Sequence, residues 1–326
     1  FVLSGFLITY LLVFDKIKNG QINIKKFLIR RSLRIWPLYY LMVIIVFLLP
    51  YELKENAGLH MVGGGYDLDW RYSFTFLENY KMLLLDLPVK TTPLVVFWSL
   101  CIEEHFYLLW MVGLFFIPLK HLKKFLILGF LAAWTARIIE PIIFNSGRID
   151  TNDLFTNLDY FAGGGLLGLW VAKDYKNAAR TIQRIPLWIK WIIVLTTISI
   201  VIFQKEVLPY NTETVFFIFR SSIIALLFTA LIAVFVPSNS AIKIKSGVLS
   251  YLGNISYGLY VYHIIWIHVI FQYCLTNNIK IDDWLTLSVF ILITLGGSIL
   301  ISALSFHYFE KPFLMFREKL TRNKSN

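Results

Sequence analysis

The sequence predicts an all-α fold, a polytopic bundle of membrane helices, and three observations predict it. Of 326 residues, 57% are hydrophobic and only 16% charged, with a mean hydropathy of +0.66. A soluble domain is nearer half apolar and a quarter charged, so this chain has more apolar surface than one core can hide. Nine apolar runs follow one another, most of them close to the roughly 20 residues that a bilayer-crossing helix needs. The connectors between those runs alternate in charge. The 28 Phe, 17 Tyr and 10 Trp beside two Cys exclude a disordered chain, a disulfide scaffold and a coiled coil.

The runs lie at about 1–14, 36–50, 97–118, 124–144, 156–172, 187–203, 214–236, 250–273 and 284–308. Of 31 Lys and Arg, 22 fall in every second connector: 15–35, 119–124, 173–190, 237–249 and the segment after 308. Of 20 Asp and Glu, 12 fall in the other connectors and 4 in the basic ones. By the positive-inside rule the basic connectors are cytoplasmic, with the C-terminus inside and residue 1 outside. The net charge of +11 is therefore a topology signal and not a nucleic-acid footprint.

Phe1 begins within an apolar stretch, so the first run reads as the second part of a helix, and ten spans are expected in a full-length parent. Residues 1–326 read as a single membrane domain with no repeat and no appended soluble domain. The longest connector, 51–93, holds Gly63-Gly64-Gly65 and reads equally well as a lid or a loop. Cys101 and Cys274 sit in or at the edge of spans, against a disulfide or metal pair.

Charged side chains within a bilayer cost several kcal/mol each and mark function or internal pairing. On the predicted topology, Glu103, Glu104 and His105, Arg137 and Glu140, Asp159, Arg220 and His263 share the outer half of the bundle. Arg137 and Glu140, three apart, share one helix face and can neutralise each other. Either structural ion pairs or an outward-opening polar cavity for a hydrophilic substrate accounts for the set. Phe97-Trp98-Ser99-Leu-Cys-Ile-Glu103-Glu104-His-Phe-Tyr107 places two carboxylates and an imidazole among aromatics; adjacent carboxylates diverge by about 100° on a helix, so one faces the cavity. Such a group can orient a histidine or accept a hydroxyl proton, or simply cap the span.

At the opposite face, Arg30, Arg31 and Arg34 precede a span. Arg31 and Arg34 share a face if the stretch is helical, giving a fork for phosphate oxygens, though spacing alone favours ordinary juxtamembrane charge. Ser256, Tyr260 and His263 share another face, where a histidine is more often a packing or hydrogen-bonding residue than a catalyst. His307 and Glu310 read as a helix terminus.

In this order the segments resemble the acyltransferase-3 family of integral membrane acyltransferases. The matching motifs are Phe1-Val-Leu-Ser-Gly-Phe-Leu-Ile8, Arg31-x-x-Arg34 with Trp36-Pro-Leu-Tyr-Tyr40, Trp98-Ser-Leu-x-x-Glu-Glu-x-Phe-Tyr107, Ile255-Ser-Tyr-Gly-Leu-Tyr260 ending at His263, and Glu310-Lys-Pro312. The resemblance implies transfer of an acyl group, commonly acetyl, from cytoplasmic acetyl-CoA or another acyl-CoA to a hydroxyl of a cell-surface glycan or lipid-linked sugar. It implies donor contacts at Arg31 and Arg34, with Arg30 beside them, and a catalytic role at Glu103; Glu104 and His263 are further catalytic candidates from their place among the polar residues of the bundle. The substrate cavity is expected from Trp98, Ser99, Arg137, Asp159, Arg220 and Tyr257. The family's essential histidine belongs to a helix before residue 1, so the stretch is expected to be inactive without it. No metal is expected, and a bacterial inner membrane is the expected location. A carrier or flippase of lipid-linked sugars is the rival class, since polar groups inside a bundle also mark transport paths.

Overall fold

A computed structural model describes residues 1–57, 69–85, 94, 96–143, 152–208, 215–237 and 247–321. Gly63-Gly64-Gly65, and with them the core of the expected lid or loop, lie outside these residues. The described residues are mostly helical, with no strand among them. In chain order the helices are α1 (Val2–Asn19), α2 (Ile24–Leu48), α3 (Tyr51–Asn56), α4 (Trp70–Phe74), α5 (Glu78–Leu85), α6 (Phe97–Phe116), α7 (Leu122–Ile143) and α8 (Leu158–Lys173). There follow α9 (Tyr175–Arg184), α10 (Leu187–Ile202), α11 (Gln204–Val207), α12 (Val215–Phe235), α13 (Gly247–Thr276), α14 (Trp284–Ser305), a π-helical turn (Phe306–Glu310) and α15 (Lys311–Thr321).

Among the described residues each of the nine apolar runs coincides for most of its length with a helix, yet only six helices there are long and apolar enough to cross a membrane. The number is seven if α9 and α10, bent by 92°, make one span. The expected count of nine is thus not reached, for reasons visible in two helices. α1 carries Asp15, Lys16 and Lys18 in its final turns. α8 has 16 residues, about 24 Å of helix against a hydrocarbon core of about 30 Å.

The helix ends follow local chemistry. Gly20 closes α1 in the left-handed region at φ 74°, where a side chain would be strained. Pro186 stands at the bend between α9 and α10. Asp283 caps α14: the Thr286 backbone N–H donates to its carboxylate at 2.8 Å, which holds that carboxyl below its usual range. The basic stretch before the second apolar run is itself helical, so α2 begins at Ile24 and carries Pro37 within it.

The chain forms two compact units. One comprises residues 1–23 and 102–244, the other 24–101 and 245–326, so α6 gives its first turn to the second and the rest to the first.

In the first unit α8 is buried on nearly every face against α1, α7 and α12. Glycines permit this. A Cβ on Gly164 would stand 1.9 Å from the Val2 carbonyl oxygen, and one on Gly5 would stand 2.2 Å from that of Phe161. Without a hydrophobic force between helices in lipid, such backbone approach supplies the packing energy. Phe106 stacks on Phe161 beside it, with ring centroids 3.9 Å apart. Gly164→Ala is expected to destabilise the protein by about 2 kcal/mol, because backbone has to move. Thermal unfolding in detergent checks this, and an unshifted midpoint would show that α1 and α8 can separate freely.

In the second unit α13 and α14 form an antiparallel hairpin and α15 packs on α2. Gly297 makes room for Trp266, whose Nε1 donates to the Ile293 carbonyl at 3.1 Å. Tyr39 lies at the centre of a buried cluster, stacked on Phe76 and Phe97 with centroids at 4.1 and 4.9 Å. Its hydroxyl donates to the Ser73 carbonyl at 2.6 Å, which ties α4 to α2.

Candidate functional site

The expected site residues divide between the two units. In the first, Glu103 stands on α6 with both carboxylate oxygens engaged. Oε1 accepts from the Ser4 hydroxyl of α1 at 2.9 Å, and Oε2 accepts from the Tyr107 hydroxyl at 2.6 Å. Tyr107 is one turn along the same helix, where residues four apart face the same way. Two hydroxyl donors from different directions fix the plane of the carboxylate. A carboxylate held in this way can orient an imidazole or take part in a proton relay. Glu104 and His105 are half-buried beside it.

Ser4 is the contact that sequence reasoning did not single out. It lies within the Phe1–Ile8 motif, but a serine in an apolar run gives no sign of which neighbouring helix it meets. The i, i+4 spacing of Glu103 and Tyr107 was a usable signal.

Arg137, Asp159 and Arg220 have a different character from a solvent-lined cavity. Arg137 and Asp159 have side chains 0% exposed and form an ion pair at 2.8 Å. Arg137 Nη2 reaches both Asp159 oxygens, at 2.8 and 2.9 Å, and also the Thr156 carbonyl at 2.5 Å; Nη1 donates to the Ile218 carbonyl at 2.7 Å. Asp159 also accepts from the Ser222 hydroxyl at 2.6 Å and from the Tyr160 backbone N–H at 3.0 Å. Trp134 Nε1 donates in turn to Ser222 at 2.8 Å. The carboxylate's capacity is filled from within the protein, which is what a buried ion pair requires. The ion pair shown for Arg137 thus joins two helices, where the sequence pointed along one helix to Glu140. Arg220, likewise buried, donates through Nε to the Leu208 carbonyl at 2.9 Å.

The second unit holds the remaining candidates. Arg30, Arg31 and Arg34 are all on α2, so the helical condition for Arg31 and Arg34 to share a face is met. Arg30 Nε donates to the Thr321 hydroxyl of α15 at 3.3 Å. Arg34 is exposed, and its charge acts on Glu310 and on Arg317 of α15. Nothing in the linear pattern joins these two residues to α2.

Near the start of α6, Trp98 and Ser99 are half-buried. The Tyr260 hydroxyl meets the Ser99 hydroxyl and donates to the Val96 carbonyl, fastening α13 to the segment that leads into α6. The Tyr257 hydroxyl donates to the Ile35 carbonyl at 2.8 Å, fastening α13 to α2. His263 is half-buried, with Nδ1 at 2.8 Å from the Tyr260 carbonyl and 3.1 Å from the Leu259 carbonyl. Both partners only accept, so Nδ1 carries a hydrogen. Ser256, expected on the same face, is exposed and donates to the Gly253 carbonyl of its own helix.

Comparison with known proteins adds the family. Residues 1–303 match the model of a family described as an acyltransferase domain. The peptidoglycan O-acetyltransferase OatA of Listeria monocytogenes is 28% identical over 281 residues, which cover 81% of this chain and 43% of that protein. A putative O-acetyltransferase of Staphylococcus aureus, SACOL0978, is 28% identical over 96% of this chain and 51% of its own length. A putative peptidoglycan O-acetyltransferase of Bacillus subtilis, YrhL, is 25% identical over 96% of this chain and 49% of its own length. The chain therefore spans about half the length of these relatives. No solved structure matches.

Proposed function

The chain belongs to the acyltransferase-3 family of integral membrane acyltransferases, and on that premise we propose that it transfers an acetyl group from a cytoplasmic acyl-CoA to a hydroxyl of a cell-wall glycan. The observation that carries this reading is the family match over residues 1–303, with relatives named for peptidoglycan O-acetylation. The side chains support it. The α2 arginines supply the planar forks that suit the phosphates of a CoA donor. Glu103, fixed by Ser4 and Tyr107, supplies an oriented carboxylate.

In the proposed reaction a histidine takes the proton of the acceptor hydroxyl, the freed oxygen attacks the thioester carbonyl, and CoA leaves as its thiolate. In this reading Glu103 orients that histidine. The proposal sets the protein in a bacterial inner membrane with its C-terminus in the cytoplasm, where acyl-CoA is available.

The test is incubation of membranes, carrying the protein expressed from its intact gene, with radiolabelled acetyl-CoA. Label on cell-wall glycan is expected. Glycan movement across the membrane without label would favour a carrier and sink the transferase reading. Replacing both Arg31 and Arg34 with Ala is expected to raise the KM for acetyl-CoA by at least about tenfold, because two charge-assisted contacts are lost. Unchanged kinetics would remove these arginines from the donor site.

A further inference from the structure

α15 has no part in the reaction just described, yet it brings a further guanidinium to the arginines of α2. Arg30 and Arg34 are one turn apart on α2, and Arg317 of α15 is brought beside them through Thr321, whose hydroxyl donates to the Arg317 carbonyl at 2.9 Å and accepts from Arg30 Nε. The Arg30–Thr321 hydrogen bond fixes the contact between the two helices. Two carboxylates share this neighbourhood. Glu318 meets Arg317 at 3.6 Å but is 74% exposed, so solvent screens it. Glu310 is buried within reach of Arg34 and accepts from the Ser305 hydroxyl at 3.1 Å.

The course of α15 is set by the π turn. The Lys311 backbone N–H reaches back to the Phe306 carbonyl across the wide turn. Tyr262 of α13 secures it by donating to Ser305 at 3.2 Å. Such turns are rare and are found frequently at functional sites. Three guanidiniums placed together repel one another, and one exposed and one buried carboxylate leave positive charge in surplus. A ligand carrying several phosphate groups offsets that surplus, and guanidinium forks fit phosphate oxygens two at a time.

We infer that Arg317, with Arg30 and Arg34, forms a binding site for a ligand bearing several phosphate oxygens. The inference rests on the acyl-CoA reading in naming the donor as the ligand, since CoA carries a pyrophosphate and a separate ribose phosphate. An anionic phospholipid headgroup offers the same chemistry, and the test separates the two.

The intact protein is reconstituted in phosphatidylcholine nanodiscs and titrated with CoA by calorimetry. In parallel, retention of phosphatidylglycerol is measured by native mass spectrometry. Arg317→Ala is expected to weaken CoA binding about tenfold, and Arg317→Lys less, since it keeps the charge and loses the fork. A wild-type melting temperature in the lysine variant separates binding from folding. If CoA affinity holds while phosphatidylglycerol retention falls, the site stands with a lipid headgroup as its occupant. If Arg317→Ala and Arg317→Lys leave both ligands unaffected while Arg34→Ala weakens CoA, the inference is overturned and the donor reading survives. If the wild-type protein binds no CoA, the donor reading fails, and the lipid arm alone decides the site.

Discussion

Arg137→Ala is expected to destabilise the first unit by about 3–5 kcal/mol, enough to abolish folded protein in many membrane preparations. The reason is the charge left behind. Asp159 is 0% exposed and receives both its ionic contacts from Arg137, so removing the guanidinium leaves a buried carboxylate with neutral donors alone. The Thr156 and Ile218 carbonyls lose their donor at the same time. Asp159→Ala should cost a similar amount by stranding the guanidinium. Combining Arg137→Met with Asp159→Leu should recover most of the loss, because a packed apolar pair carries no desolvation penalty. Thermal melts of the wild type and these three variants in one detergent make the comparison. A single variant that melts like the wild type would show that water reaches this pair.

Glu103→Gln is expected to lower the turnover of acetyl transfer by about a hundredfold while leaving the melting temperature unchanged. The amide has the shape of the carboxylate; its oxygen can accept from one of the Ser4 and Tyr107 hydroxyls and its NH2 can donate to the other once that hydroxyl turns, so packing is retained. What it loses is the negative charge that, in the proposed reaction, orients and stabilises a protonating imidazole. Ser4→Ala and Tyr107→Phe each remove one of the two donors and should give smaller losses in rate. Acetyl transfer from labelled acetyl-CoA measures all three. Full turnover in Glu103→Gln would exclude Glu103 from the proton path. Glu103→Gln should thus fold and not react, whereas Arg137→Ala should fail to fold.

Much of this architecture was legible in the linear pattern. Among the described residues each apolar run coincides for most of its length with a helix, because an apolar run in a bilayer has to satisfy its own backbone hydrogen bonds. Counting spans was less secure. α8 reads as a membrane helix by composition, but its apolar side chains and glycines are spent on α1, α7 and α12, and its length is set by that packing. The start of α2 was also hidden. A basic stretch carries no apolar period strong enough to mark a helix, and so Arg30, Arg31 and Arg34 became helical residues only in the structure.

Among the charged residues the boundary is sharper. Spacing along one helix identifies which residues share a face, as it does for Glu103 with Tyr107. It carries no information about the helix opposite, where Arg137 meets Asp159.

The sequence by itself determined the membrane-helical class, the family and the residue types able to do acyl transfer, because these follow from composition, local period and ordered motifs. Tertiary structure alone decided which charges are sealed into an ion pair, which hydroxyls hold Glu103, and that the π turn and α15 bring Arg317 to α2. Those outcomes depend on contacts between residues far apart in the chain, where distance in space and depth of burial, and not spacing in sequence, set the electrostatic energy.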